Sequence, residues 1–534
     1  MVFTAENETI RPPRTRSQRA GLVLGPLALI GILLLPTPDS LVRHAVAALH
    51  LSGEHTDVQE LARGGQATLG LLSIMIVWWL TEAVPIPVTA LLPGLLLPVL
   101  HVTGARNGGL FSFNAKTAFA AYASPIIYLF LAGFLLAGAM RKSGLDRRVT
   151  LGILSRPVVM RGPGTILLVM MGLTAFLSMW ISNTATAALM LPIALMILEQ
   201  LDQTAEQDRS SRTRFGIAMM FGIAWSASIG GLGTIIGSPP NGIVVGILQD
   251  QGIARVDFVQ WLGIGLPIAV LGVVAAWGVL MIQYRPRLGD TSAGLQSIRD
   301  ARSRLGPKRS EESATLAVFI LVVCLWVSQP FWPILLPEAI HRRLEHFSVT
   351  EIGLFCAMLL FIVPTDRKGW RPVLSWRDAH YVDWGTLLLF GGGIALSDAM
   401  LKTGLTDWFA ASVVSAVGHP GPWVSLSVLV LFVTLLTEVT SNTAVTSMMT
   451  PVLIGLAAPL GLPPLTLCIA CALAASLAFM LPTATPPNAM VYASGYFRIS
   501  EMAKAGLVID LVGFVILVGG LYLISGRLLG LIPL

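Results

Sequence analysis

Apolar runs of about 17–25 residues, the length that crosses a bilayer, recur from residue 21 to the C-terminus. They predict spans near 21–36, 67–84, 86–101, 120–141, 215–248, 259–284, 313–335, 349–364, 384–401, 465–496 and 505–531. Two further runs, 164–199 and 422–458, carry no Lys, Arg or His, yet each is interrupted at mid-length by a polar knot. Residues 182–192 read SNTATAALMLP and 441–451 read SNTAVTSMMTP, with six identities in eleven positions. A Ser-Asn-Thr knot is costly in hydrocarbon unless its backbone and hydroxyls find partners, so each is expected at a bend, inside protein or facing a water-filled cavity. The pattern predicts an all-α polytopic membrane protein of about eleven transmembrane helices plus two helical hairpins.

The knots belong to a longer duplication. Residues 128–145 (YLFLAGFLLAGAMRKSGL) align without gaps to 388–405 (LLFGGGIALSDAMLKTGL), with nine identities in eighteen positions. A third pair sets Gly237-Ser238-Pro239-Pro240-Asn241 against Ala484-Thr485-Pro486-Pro487-Asn488. Three pairs in one order predict two related halves, 21–284 and 313–534. The span at 120–141 runs into a basic loop, 141–163, whereas its partner at 384–401 follows one, 365–383. Matched helices with basic loops at opposite ends predict an inverted-topology repeat, a plan used by secondary transporters. A cytoplasmic tail (1–20) and a basic cytoplasmic linker (285–312) with an amphipathic surface helix complete the expected organisation.

Charge changes the picture only in where it lies. Charged residues make up 12% of the chain, about half the share in a soluble domain. With the N-terminus inside, 26 of the 35 Lys and Arg fall on one side, so they read as topology signals and not as a nucleic-acid surface. No small-residue cleavage site closes the first apolar segment, which is therefore expected to be a retained span. The polar stretch 37–66, with His44, His50, Glu54, His55 and Asp57, reads as a solvated extracytoplasmic loop more readily than as a metal site, because the spacing is irregular. Cys468 and Cys471 form a CxxC inside a span, where two small apolar side chains are the simpler reading. Glu82, within TEAVPIP, Asp398 and Asp510 are candidate intramembrane acids, and Glu438, three residues before Ser441, is a candidate for proton coupling. No HExxH or GxSxG lies where it can act within the spans, so no enzyme is expected.

Hydropathy does not decide whether the arms around each knot cross the membrane or turn back. Geometry separates the two. The first pair enters from inside and the second from outside, so only hairpins that return at the midplane bring both motifs together. Ser182, Asn183, Ser441 and Asn442 can then cap the following arm, with Thr184 and Thr443 in its first turn, where a helix N-terminus suits an anion. The carbonyls freed by the Pro-Pro breaks at Gly237 and Ala484, beside Ser238 and Thr485, suit a small hard cation and supply the opposing wall. Hairpins 164–199 and 422–458 and broken helices 215–248 and 465–496 contain no Lys, Arg or His. A dianion bound among them needs co-bound cations, which points to coupling with Na+.

The doubled SNT tips, the doubled Pro-Pro-Asn breaks and the EAVPIP stretch resemble the divalent anion/Na+ symporter family of di- and tricarboxylate transporters, from about residue 67 onward. The resemblance implies homodimers with eleven spans and two re-entrant hairpins in the plasma (inner) membrane, moving substrate by an elevator motion. It implies one Na+ site from Ser178, Ser182, Asn183 and the Gly237 carbonyl, and a second from Thr437, Thr440, Asn442 and the Ala484 carbonyl. It also implies substrate carboxylates against Asn183, Thr184, Asn442, Thr443, Thr485 and Pro486, with Ser238 and Pro239 as first-half counterparts. Both Na+ patterns are intact, which favours Na+ symport over Na+-independent exchange. The chain lacks the large inserted cytosolic domain of many sulfate carriers, which tilts the expectation from sulfate or tricarboxylate towards a C4-dicarboxylate such as succinate.

Overall fold

The computed structural model describes residues 14–49, 55–106, 109–203, 209–286, 292–344, 347–366, 369–418 and 421–527. Among these the chain is helical throughout, apart from one two-stranded antiparallel hairpin, β1 (Thr103–Arg106) with β2 (Gly109–Ser112). That hairpin was not foreseen. The chain opens with α1 (Arg16–Leu34), whose start is closed by a reciprocal Thr15–Gln18 capping box, and α1 packs along α3 (His55–Thr81).

The stretch 37–66 is not the solvated loop that its polarity predicts. It holds α2 (Asp39–Leu49) and the first turns of α3, because Ala45, Val58, Leu61 and Ala62 bury together in a small apolar cluster. His50 and Glu54 lie outside the described residues, and among the described residues no cluster of His, Cys, Asp and Glu forms a metal site. The Pro-rich crossing that follows is broken into α4 (Ile86–Thr89) and α5 (Leu92–Val99).

From α6 (Ala115–Ala120) the chain turns through Ser124 into α7 (Pro125–Ser143), which ends on Gly144 in the left-handed conformation (φ 77°) and continues as the amphipathic α8 (Leu145–Leu154). The first knot joins α9 (Pro163–Ser178) to α10 (Asn183–Gln203). The first broken helix is α11 (Arg209–Gly231) and α12 (Pro239–Asp250), followed by the long α13 (Phe258–Tyr284). The polar linker contributes α14 (Ser292–Ser303), which leads into α15 (Ser310–Ser328). Arg148 of α8 pairs with the buried Glu312 at 2.5 Å and tethers this linker.

The second half begins with α16 (Trp332–Leu335), α17 (Glu338–Leu344) and α18 (Val349–Ile362). It repeats the earlier order in α19 (Trp384–Lys402) and α20 (Leu405–Val417), with Gly404 (φ 71°) where the first half has Gly144. The second knot joins α21 (Pro422–Val439) to α22 (Asn442–Ala457). The second broken helix is α23 (Pro464–Ala474) with α24 (Pro486–Tyr492), and α25 (Ile499–Arg527) closes the described chain.

Two groups of elements emerge. The knots, both broken helices, α13 and α25 pack on one another, α7, α15 and α18 form a second group, a wall, and α19 lies between, against α7 on one side and α12 and α22 on the other. Where they meet the contact is lined by glycine. A methyl at Gly242 would fall 2.2 Å from the Phe130 ring, one at Gly246 2.6 Å from Ile126, and one at Gly393 2.9 Å from Ser447 Oγ. The four cysteines are free, Cys468 and Cys471 being buried among apolar side chains.

Candidate functional site

Each helix that approaches a knot ends on a hydroxyl aimed at the asparagine that starts the next helix. Ser178 Oγ stands 2.7 Å from Asn183 Oδ1 and 2.6 Å from the Ala227 carbonyl of α11. Thr437 Oγ1 stands 2.7 Å from Asn442 Oδ1 and 2.8 Å from the Ala475 carbonyl beyond α23. A hydroxyl has one proton to give, so each cluster of three oxygens is one hydrogen short. Such a cluster is electronegative and suits a small hard cation. The Gly237 carbonyl and Asn183 Oδ1 both flank Gly231: a methyl built there would meet Asn183 Oδ1 at 2.7 Å and Gly237 O at 3.0 Å. In the second, Thr440 Oγ1 is buried without a hydrogen-bond partner among the described residues.

The capping expected of the serines is largely absent. Ser182 Oγ makes one long contact, 3.4 Å from the Ala185 N–H, and Ser441 makes none. The asparagine side chains turn back to the preceding arm instead, to Ser178 and Thr437.

The Pro-Pro-Asn breaks are held by their asparagines. Asn241 Nδ2 donates to the carbonyls of Gly231 (2.9 Å) and Thr234 (2.8 Å), and Asn488 Nδ2 to those of Ala478 and Leu481 (both 3.0 Å). Both asparagines are fully buried. Each amide thus spans the gap that two prolines open in the main-chain ladder. Sequence reading used the prolines and missed this role, although the shared offset of Asn241 and Asn488 was the available signal. Ser238 and Ser476, 3.5 Å apart, bring the two breaks together.

Tips and breaks face one cavity of about 1170 Å³. Ser182, Asn183, Thr184, Gly237, Ser238 and Pro239 line it from the first half, and Thr440, Asn442, Thr443, Ala484, Thr485 and Pro486 from the second. Ser178 and Thr437 stand behind, each touching its asparagine. The tips and breaks bring no cation to the cavity, but the end of α7 does. Arg141, at the end of α7, lies with its guanidinium 5.3 Å from the ring centre of Tyr381. Tyr381 is held by the short 3-10 helix Trp376–Tyr381, whose Asp378 accepts from Lys142 Nζ at 2.7 Å and from the Ser375 N–H at 2.7 Å. Burial alone would raise the Asp378 carboxyl, but Lys142 and Ser375 outweigh it and hold it below the ordinary carboxylate range.

The remaining acids divide. Glu82, a candidate intramembrane acid, is exposed on the cavity lining with a positive φ of 48°, because the chain turns there towards Pro85. Asp398 pairs with Lys402 at 2.6 Å on its own helix. Glu438 and Asp510 are both buried, away from any basic side chain.

A profile of the family described as "Sodium:sulfate symporter transmembrane region" matches residues 58–531. The chain is 35% identical over 524 residues to the sodium-dependent dicarboxylate transporter SdcS of Staphylococcus saprophyticus, across 96% of this chain and 92% of that protein. It is 33% identical over 531 residues to SdcS of Staphylococcus aureus, across 98% and 94%. Among solved structures it is similar to the YdaH transporter of Alcanivorax borkumensis, with a TM-score of 0.50 at 15% identity over 86% of this chain and 98% of that one. It is also similar to MtrF of Neisseria gonorrhoeae, described as one of a class of antimetabolite efflux pumps, with a TM-score of 0.53 at 13% identity over 84% and 94%. These two likenesses concern the fold, an all-α polytopic membrane protein.

Proposed function

Because the chain belongs to the sodium:sulfate symporter transmembrane family, we propose that it is a secondary active transporter that imports a C4-dicarboxylate such as succinate together with Na+. The carrying observation is the pair of proton-deficient oxygen clusters at Ser178–Asn183 and Thr437–Asn442, beside one cavity to which the tips and breaks bring no basic side chain. Two Na+ ions in these clusters offset the charge of a dianion held by Asn183, Thr184, Asn442, Thr443, Thr485 and Pro486, with Ser238 and Pro239 opposite. The printed function of the SdcS relatives supports both the ion and the substrate class.

The N-terminus is cytoplasmic and the two hairpins are re-entrant, entering from opposite faces of the plasma membrane. The cavity mouth, with Arg141 and Tyr381 on it, therefore opens to the cytoplasm, and Arg141 attracts the anion at that entrance. The hairpins, broken helices, α13 and α25 form a transport body that slides as an elevator against the wall of α7, α15 and α18, in a homodimer embedded in lipid.

Purified protein in liposomes is expected to accumulate labelled succinate under an inward Na+ gradient, and Asn183→Ala or Asn442→Ala to abolish accumulation. Uptake that needs internal succinate but no Na+ would replace symport by exchange. Uptake of sulfate or citrate with succinate ignored would replace the substrate class.

A further inference from the structure

The positive charge that the tips and breaks lack stands elsewhere on the same cavity. Helix α7 lines it along one stripe, Phe130, Gly133, Phe134, Ala137 and Arg141. The stripe starts beside the first break, where a methyl on Gly242 would fall 2.2 Å from the Phe130 ring. It ends at Arg141, about three turns and about 16 Å further along the axis at the rise of an α-helix. A four-carbon dianion is shorter than that, so a molecule held at the breaks does not also reach Arg141.

Arg141 is exposed, and its surroundings hold it in place. Its guanidinium lies over the Tyr381 ring, 5.3 Å from the centre, a contact that fixes its plane and leaves the N–H groups along its edge unspent. Tyr381 is wedged in turn: a methyl on Gly138 of α7 would meet its Cβ at 2.8 Å, so it rests on the helix one turn before Arg141. The Ser375–Asp378 capping box and the Lys142–Asp378 pair close the short helix that carries it. Among the described residues no carboxylate forms an ion pair with Arg141. Asp383, on the same lining, accepts from the Thr386 N–H at 3.1 Å and from its hydroxyl at 2.7 Å. Asp146 accepts from the Arg147 N–H at 2.7 Å, and Glu82 turns to the cavity without a cation.

The second half does not repeat this arrangement. In the gapless alignment of 128–145 with 388–405, Lys142 corresponds to Lys402 and Gly144 to Gly404, but Arg141 corresponds to Leu401. Both lysines are spent on carboxylates, Lys142 on Asp378 at 2.7 Å and Lys402 on Asp398 at 2.6 Å. Lys402 lies besides over the Phe111 ring, 5.2 Å from its centre. The paired lysines belong to the shared scaffold, and the unpaired guanidinium is an addition at one end.

We propose that Arg141 and Tyr381 form a second anion subsite, which takes one carboxylate of the dianion on the cytoplasmic side only. The proposal rests on the transport function and orientation given above. The carboxylate accepts two parallel N–H groups from the edge of the guanidinium, and Tyr381 is the residue that positions that edge. The subsite stays with the wall and does not travel with the tips, so it acts only while the cavity opens on its side. It receives the dianion as Na+ leaves the clusters, and hands it back when transport runs in reverse.

The test compares the two faces. Succinate uptake under an inward Na+ gradient is followed against succinate concentration in bacterial cells that lack their own dicarboxylate carriers and express the protein, and in inside-out vesicles from the same cells. Na+-dependent uptake by the wild type in cells tests the transport function by itself. For Arg141→Gln the half-saturating succinate concentration should rise roughly tenfold in the vesicles and less than about twofold in the cells. Half-saturation, unlike maximal rate, is independent of how much folded protein each variant yields. Tyr381→Leu should raise it in the vesicles too, and Tyr381→Phe, which keeps the ring face, should not. An Arg141→Gln variant with unchanged half-saturation in the vesicles, or with an equal rise at both faces, overturns the proposal, and a Tyr381→Leu variant that matches the wild type overturns the part given to the ring.

Discussion

Replacing Thr437 by Val keeps the volume of the side chain and removes only its hydroxyl, which is fully buried 2.7 Å from Asn442 Oδ1 and 2.8 Å from the Ala475 carbonyl. In the wild type one of those oxygens receives the hydroxyl proton and the other, on the proposed reading, is left for the cation. Without the hydroxyl the first is left unpaired, and the proposed cation site loses one ligand. A buried acceptor left unpaired costs about 1–3 kcal/mol, which weakens Na+ binding by roughly 5- to 150-fold if the loss is felt in the bound state. Thr437→Ser, which restores the hydroxyl, should return the affinity to near the wild-type value. The assay is the Na+ dependence of succinate uptake in liposomes, paired with the rise in melting temperature that Na+ produces in detergent. Thr437→Val with wild-type half-saturation, even at a lowered melting temperature, would mean that the hydroxyl only supports the fold, and the assignment of the cluster to a cation would fail.

Two further outcomes follow from the packing and the charges. Gly230 presses on the first hairpin so closely that a methyl would fall 2.3 Å from the Ala175 carbonyl, so Gly230→Ala should force α11 off α9 and cost about 1–3 kcal/mol, read as a lower melting temperature in scanning fluorimetry. Asp378 sits below the usual carboxylate range in the folded state, so its pairing with Lys142 stabilises fully above the unfolded-state value of about 4 and is lost as pH falls through the folded value. Lys142→Met should therefore melt earlier than the wild type at about pH 7, with the gap closing as pH falls below the ordinary carboxylate range, and a gap independent of pH would contradict the pairing.

The membrane class, the two knots and the two breaks were legible because each rests on a periodic apolar run or a motif that occurs twice. The SNT and Pro-Pro-Asn copies each appear in equivalent surroundings, and the structure brings the tips and breaks around one cavity. What escaped depends on contacts between distant segments. Nothing near Gly231 in the chain reveals that it borders Asn183, and nothing near Arg141 reveals that it reaches the same cavity across Tyr381. The stretch 37–66 was misread because its polar residues mask four apolar positions whose burial becomes visible only when α2 and α3 pack. The cap at Ser441 was misread because local propensity favours it, while Thr437 draws the neighbouring asparagine the other way.

The glycines between the wall and the central elements have a mechanical consequence. Helices whose side chains interlock must first disengage before one can move along the other, and the teeth set the step. Where Phe130 and Ile126 rest on Gly242 and Gly246, the side chains of one helix seat in notches of the other. If the central elements move along the wall as proposed, these notches would have to exchange one set of dispersion contacts for another, so Gly242→Ala is expected to hinder that movement as well as the packing.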